Sequence, residues 1–188
     1  MDDSKIEVNS DIVKEIFKLA KLNPPKEITE EAIFDAVFKL KTQGMTEESQ
    51  ELVFNPTSNN ILVIDDIGVV TYQLKIMLRN LGYNVQVAKD IFSGLNTFVK
   101  SNYAFVVMDL FVSTEQEGLT LLNETKKIIT KNNLDTKIIV ITASNKAENK
   151  VKCLNGGADI FLKKDAGWQD KLIEMIENFN IGQAPTEK

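Results

Sequence analysis

The sequence predicts an α/β fold: a five-stranded parallel sheet flanked by helices, preceded by a small all-α segment. Three observations lead there. From residue 61 onward, short apolar runs alternate with helical patterns, which argues for right-handed βαβ crossovers and a parallel sheet. Four of those runs end on polar residues: 61–64 on Asp65-Asp66, 103–108 on Asp109, 137–141 on Thr142-Ala143, and 160–162 on Lys163-Lys164. The first 57 residues differ, with helical spacing throughout and 12 acidic against 7 basic side chains. Set against 27 and 22 in the whole chain, that leaves 15 of each sign in the remainder, so the acidic excess sits in the N-terminal part.

In chain order, Asn9-Ser10-Asp11 is placed to cap a helix with apolar face Ile12, Val13, Ile16, Phe17, Leu19 and Ala20. Asn23-Pro24-Pro25 stops it. Thr29 caps a second helix, with Glu30 and Glu31 in its first turn facing the dipole correctly. Its apolar face is Ile33, Phe34, Val37, Phe38 and Leu40, and Gly44 ends it. Thr46 caps a third, short helix through Phe54. The polar, helix-breaking run 55–60 marks the boundary. The expected division is a helical segment 1–56, an α/β domain 57–182 and a tail 183–188.

After the first strand comes a helix with Val70, Leu74, Met77, Leu78 and Leu81 on one face, ended by Gly82. Residues 83–87 alternate as a strand, and Asp90 caps a helix reaching Lys100. The third strand precedes a helix over 119–129 carrying Leu121, Leu122, Thr125, Ile128 and Ile129 at helical spacing. The fourth precedes one that begins at Asn145 or Lys146, runs to Asn155 and is closed by Gly156-Gly157. The fifth strand leads to a last helix over 168–179.

Composition narrows the function. Hydrophobic residues at 43% are ordinary for a globular protein with a sizeable core. No apolar run approaches the ~20 residues needed to span a bilayer, and the acidic N-terminus lacks a secretory signal's basic start and apolar stretch. The lone Cys153 excludes an intrachain disulfide, suits a reducing cytosol and reads as a small buried side chain on a helix. Neither part carries the basic stripe that phosphate-backbone binding demands, so direct nucleic-acid contact is not expected. The chain has no histidine, so any histidine in its chemistry must come from another protein.

Ligands of open α/β sheets bind outside the carboxyl ends of the strands. Neighbouring parallel strands would gather Asp65, Asp66, Asp109, Thr142 and Lys164 there. At ~4 Å and an effective dielectric near 20, each carboxylate pair repels by about 4 kcal/mol. A divalent cation removes that repulsion, and hard oxygen ligands with room for waters suit Mg²⁺. The cation would also shield an incoming phosphoryl group from the carboxylate that attacks it, while Thr142 and Lys164 bind the remaining phosphoryl oxygens. Singly, each residue has a plainer reading: a cap for Asp65-Asp66 or Asp109, a strand-end hydroxyl for Thr142, a solvated strand end for Lys163-Lys164. Jointly those readings require four coincidences of type, order and position.

These residues, in this order at these strand ends, resemble the receiver domain of two-component response regulators over residues 60–179. The resemblance implies a doubly wound, flavodoxin-like sheet in strand order 2-1-3-4-5. It implies Asp65 and Asp66 as the acidic metal pair and Asp109 as phosphoacceptor and metal ligand, with Phe111 lending its backbone carbonyl to Mg²⁺. Thr142 is then the switch hydroxyl beside small Ala143, Lys164 rather than Lys163 the phosphate-binding lysine, and Phe161 the switch aromatic. Core packing accounts for Phe161 equally well, and Trp168 reads as a packing anchor. The implied function is a cytoplasmic, phosphorylation-dependent switch. A partner histidine kinase or phosphotransfer protein supplies the phosphoryl group, and the output runs through protein contacts to a downstream protein, with no separate enzymatic domain. The alternative is an unphosphorylated pseudo-receiver acting as an interaction module; retention of all five polar positions speaks against it. An aspartyl-nucleophile hydrolase would need a carboxylate two residues past the nucleophile, where this chain has Phe111 and Ile67. Two departures from the family pattern follow Asp109 and Lys164. The family's usual proline is Ser113 here, with one extra residue before Gly118, and Asp165 stands where a proline commonly follows the lysine.

The N-terminal helices present more apolar surface than so small a segment buries alone, so they are expected to pack on the receiver, on a second copy or on a partner. Deletion of residues 1–56 should leave a folded α/β domain while changing oligomeric state or partner binding. Unchanged hydrodynamic size per chain, thermal stability and partner binding would show that the segment has no such role.

Overall fold

The computed structural model describes residues 10–25, 28, 32–33, 35–40 and 58–181. The chain divides into two compact units, Met1–Ser49 and Gln50–Lys188. In the first, helix α1 (Ser10–Leu19) buries Val13, Phe17 and Ala20 against Ala36, with Ile16, Leu22, Ile33 and Leu40 packed around them. Phe38 is also buried, and residues 32–33 and 35–40 are helical as the periodicity predicts. Leu19 departs from its predicted place on the buried face and is 58% exposed. It stands two residues past Phe17, a rotation of about 200° around the helix. The helix also ends before Asn23-Pro24-Pro25. Lys21 turns left-handed (φ 53), Leu22 N–H donates to the Phe17 carbonyl at 2.9 Å, and Lys21 N–H donates to Lys18 at 3.1 Å. The expected cap at Asn9, Ile12's side chain, Thr29 with Glu30 and Glu31, Phe34, Gly44, the third helix through Phe54 and the tail 183–188 lie outside the described residues.

The second unit is a five-stranded parallel sheet in order β2-β1-β3-β4-β5. Its strands are β1 (Asn60–Ile64), β2 (Asn84–Ala88), β3 (Phe105–Asp109), β4 (Lys137–Thr142) and β5 (Ile160–Lys163). Between and after them run α2 (Gly68–Asn80), α3 (Ile91–Phe98), α4 (Glu115–Lys131), α5 (Ala147–Asn155) and α6 (Trp168–Ile181). The three central strands are almost wholly buried and read as continuous apolar runs; edge strands β2 and β5 are mixed. Alternate residues point to opposite faces. Ile61, Val63, Phe105, Val107, Ile139, Ile141 and Leu162 pack on one face with Leu74 and Leu78 of α2 and Trp168, Leu172 and Ile176 of α6. Leu62, Ile64, Val106, Met108, Ile138 and Val140 alternate with them and are equally buried, and Ile64 lies directly against Gly94 of α3. Covering both faces makes the sheet doubly wound, as expected.

Side-chain caps fix two of the helix starts. Asp90 Oδ1 accepts from the Phe92 and Ser93 N–H groups at 3.0 and 2.9 Å, so α3 starts where predicted, but it ends at Phe98, short of Lys100. Helix α4 starts at Glu115, four residues before the predicted 119. Thr114 Oγ1 caps it by accepting from Glu117 N–H at 3.2 Å, and Thr-x-x-Glu is the sequence pattern of a capping box. All five residues predicted for its apolar face are buried. Leu81, assigned to the buried face of α2, is instead its C-terminal cap and 36% exposed.

The early start of α4 changes the loop after Asp109. Only 110–114 separate strand from helix, and Gly118 lies inside the first turn. A Cβ on Gly118 would sit 1.9 Å from the Leu110 carbonyl oxygen. The extra residue is taken up by a turn in which Ser113 adopts φ 93 and donates its N–H to the Phe111 carbonyl at 2.8 Å. Leu110 and Val112 are buried to 1% and 0% exposure and pin the loop in proline's absence. Gly118→Ala should therefore lower the unfolding free energy by more than about 3 kcal/mol, above the usual range for overpacking because a backbone atom is struck. Gly68→Ala, where nothing lies within 4 Å, should leave stability level or slightly higher. Urea titration of both variants checks this; a near-neutral Gly118→Ala would contradict the packing.

Candidate functional site

Strand order brings the ends of β1, β3, β4 and β5 side by side. Asp65 follows β1 and continues its ladder, its N–H donating to the Ala88 carbonyl at 3.1 Å. Asp109 closes β3 and Thr142 closes β4. Lys164 comes just after β5, and its N–H donates to the Thr142 carbonyl at 2.7 Å, which carries the ladder one residue further. The polar ends predicted from sequence are thus gathered by parallel pairing alone.

The side chains then close on one another. Lys164 Nζ lies 2.7 Å from Asp65 Oδ2 and 2.7 Å from Asp109 Oδ2, at side-chain exposures of 8%, 0% and 7%. Lys163, paired in register with Thr142, is exposed, so Lys164 is the lysine the structure brings into the cluster. Asp66 is exposed at its edge, and one oxygen from each of Asp65, Asp66 and Asp109 lies within 4.8 Å of the others.

A local turn holds the side chains of Asp65, Asp109 and Thr142. Ile67 N–H donates to Asp65 Oδ1 at 2.8 Å, Phe111 N–H to Asp109 Oδ1 at 3.1 Å, and Ser144 N–H to Thr142 Oγ1 at 3.1 Å. These side-chain turns to the residue two positions on fix one oxygen of each carboxylate and leave the other for Lys164. Burial raises the Asp65 pKa above the ordinary carboxylate range, while Lys164 and the Ile67 N–H pull it down. Desolvation is the larger effect, so one lysine does not fully compensate this carboxylate.

Phe111 is half-exposed, and its carbonyl already accepts the Ser113 N–H while retaining a second lone pair. Phe161 is half-buried on edge strand β5, outside the polar cluster. Trp168 is the packing anchor expected, 7% exposed in the core, but it also places its ring 6.0 Å from Lys164 Nζ. That contact was not read from the sequence, because no spacing rule ties residue 168 to 164. There are no cis peptide bonds among the described residues, so the bond from Lys164 to Asp165, where the family commonly has a proline, is trans.

The donor set suits a hard divalent cation. Three carboxylates face one ammonium, leaving negative charge uncompensated, and 4.8 Å is close to the span across a divalent ion's ligand shell, about 4.2 Å for Mg²⁺ and about 5 Å for Ca²⁺. Among the described residues no helix is long and apolar enough to cross a membrane.

With this geometry in place, comparison with known proteins gives one consistent answer. The model of the response regulator receiver domain matches residues 61–177. The transcriptional regulatory protein DltR of Streptococcus agalactiae is 30% identical over 104 residues, covering 55% of this chain and 44% of DltR. This chain therefore spans less than half the length of that relative. A CheY-like receiver domain protein from Methanospirillum hungatei superposes with TM-score 0.57 at 26% identity, covering 66% of this chain and 96% of that one. A Burkholderia pseudomallei response regulator, whose structure carries a phosphorylated aspartic acid and a calcium ion, has TM-score 0.53 at 25% identity, covering 66% and 75%.

The geometry predicts unequal costs at the two adjacent lysines. Lys164→Ala leaves two buried carboxylates facing each other and should destabilise by about 3 kcal/mol at neutral pH, whereas exposed Lys163→Ala should stay within about 0.5 kcal/mol. A carboxylate whose folded pKa is raised above its unfolded value costs stability only when ionised, so the Lys164→Ala deficit should shrink as pH falls through that raised pKa. Urea titration across pH checks both statements. Equal losses at the two lysines, or a deficit that grows with acid, would contradict the assignment.

Proposed function

The chain belongs to the response regulator receiver family, and from that premise we propose that it is a signalling switch in which Asp109 accepts a phosphoryl group from a histidine of a partner kinase or phosphotransfer protein. The observation that carries the reading is the convergence of Asp65, Asp66, Asp109 and Lys164 at neighbouring strand ends. With no histidine of its own, the chain can receive from a phosphohistidine but cannot be the donor.

In the proposed reaction an Asp109 carboxylate oxygen forms the new O–P bond as the donor's P–N bond breaks, and the electron pair leaves with the imidazole nitrogen. Asp65, Asp66 and Asp109, with the free lone pair of the Phe111 carbonyl, would hold Mg²⁺. When bound, that ion neutralises charge between the carboxylates and the incoming phosphoryl oxygens. The Phe111 N–H fixes the Asp109 carboxylate through Oδ1. Lys164, now shared between Asp65 and Asp109, would turn its ammonium to a phosphoryl oxygen, and the Thr142 hydroxyl would take another. Most of the catalytic task is positioning, as expected for a loose phosphoryl transition state.

The signal would leave by protein contacts, with the N-terminal unit a proposed interaction module. DltR is named as a transcriptional regulatory protein, but the match covers under half of it, so the downstream partner here is a protein of unspecified identity.

Incubation with Mg²⁺ and a small phosphodonor such as acetyl phosphate, followed by intact-mass measurement, should show one phosphoryl adduct that Asp109→Asn abolishes. An equal adduct in that variant would place the acceptor elsewhere. No adduct in the native chain would favour the pseudo-receiver reading.

A further inference from the structure

Three exposed residues, Asp165 to Gly167, separate Lys164 from the start of α6. They make a tight turn. Trp168 N–H donates to the Asp165 carbonyl at 3.2 Å, and Gly167 adopts φ 73, a left-handed conformation that glycine takes without strain. The Asp165 carboxylate accepts from Lys171 Nζ at 2.9 Å, which ties this turn to the first turn of α6. The chain thereby doubles back and returns the indole of Trp168 to Lys164. Lys164 Nζ sits over that ring, 6.0 Å from its centroid.

A lysine is a poor fixed point by itself, because its ammonium ends a flexible stem and carries three donors. Asp65 and Asp109 accept two hydrogen bonds from it at 2.7 Å each. An indole face attracts a cation through its quadrupole, yet it takes no directed hydrogen bond of carboxylate strength. Such a face holds the charge over one spot and leaves it free to turn. Both partners are sheltered from water, the Trp168 residue at 7% exposure and the Lys164 side chain at 8%, which strengthens the attraction. The ring is fixed in turn by the core it shares with Leu172 and Ile176.

We propose that Trp168 is a positioning residue of this site: its indole face holds the Lys164 ammonium at the ends of β1 and β3 and is the pivot on which that ammonium turns from the two carboxylates to a phosphoryl oxygen. The pivot deepens the phosphorylation reading and rests on it, whereas the hold on the ammonium belongs to the chain before any phosphoryl group arrives. A carboxylate or amide at residue 168 would capture the ammonium by a directed bond. An aliphatic side chain there would fill space but exert no pull on the charge. The aromatic ring alone restrains the ammonium without competing for its donors.

The chain has one tryptophan, so fluorinated tryptophan supplied during expression alters residue 168 alone. Fluorine withdraws charge from the ring face, nearly keeps its shape and makes the ring more apolar. Holding a cation and merely packing therefore predict opposite signs. For a ring that holds the ammonium, the unfolding constant of the full-length chain in urea should rise across mono-, di- and trifluorotryptophan. The rise should reach about five-fold at the last, the ratio for loss of one modest cation–π attraction. Stability that stays level or improves across the series overturns the proposal. With Mg²⁺ and acetyl phosphate, the rate of phosphoryl uptake by intact mass should fall across the same series, also by about five-fold. Trp168→Phe, which keeps a ring face, should retain more of that rate than Trp168→Leu. Falling stability with uptake at the native rate throughout, or equal rates in the two variants, overturns the pivot. A graded loss of stability with no phosphoryl adduct in any chain would uphold the hold on Lys164 and overturn its phosphoryl purpose.

Discussion

Lys164 places one ammonium 2.7 Å from each of two carboxylates that are almost sealed from water, and much of the receiver's architecture serves that arrangement. Buried charges are tolerated only when paired and hydrogen-bonded, and here both conditions depend on register. A slip of one residue in β5 would point Lys163 into the crevice and Lys164 outward. The Lys164 N–H bond to Thr142 and the β4–β5 pairing prevent that slip. The Ile67 and Phe111 amides satisfy the carboxylate oxygens that the lysine leaves. The pairing is nonetheless incomplete, because one ammonium serves two buried carboxylates with a third at the edge. The cluster therefore carries more negative charge than the fold compensates, and a divalent cation held there would relieve it.

The loop after Asp109 departs from the family's sequence pattern, and the structure shows how the departure is absorbed. Where the family commonly has proline, Ser113 takes a positive φ and bonds back to Phe111. Buried Leu110 and Val112 then supply the rigidity that a proline ring would have given. Gly118 presses its bare Cα on the Leu110 carbonyl, tying the start of α4 to the residue next to Asp109. The site's shape therefore depends on tertiary packing where the family pattern relies on local chain stiffness.

The sheet was legible in the sequence because central parallel strands are buried on both faces and must be continuously apolar, as 61–64, 105–108 and 138–141 are. The polar ends of those runs were legible for the same reason: burial stops where the crevice begins. Helix boundaries were less so. The predicted start of α4 falls four residues late, because Thr114 stands among polar loop residues and only its Thr-x-x-Glu spacing marks it as a cap. Lys21, unlike a glycine, carries no sign that it will end a helix in the left-handed region. The contact of Trp168 with Lys164 depends on how α6 packs on the sheet, and no periodicity in the chain encodes it.

The central claim is that the acidic cluster is under-compensated and is completed by a divalent cation. Thermal unfolding of the full chain against Mg²⁺ concentration tests it most directly, because a ligand that binds only the folded state stabilises by RT ln(1 + [L]/Kd), about 2.7 kcal/mol at one hundred times Kd. The account predicts a saturable rise in midpoint for the native chain that Asp66→Ala largely removes, since that substitution deletes the exposed carboxylate without disturbing the buried pair. A midpoint indifferent to Mg²⁺, or an undiminished rise in Asp66→Ala, would contradict it.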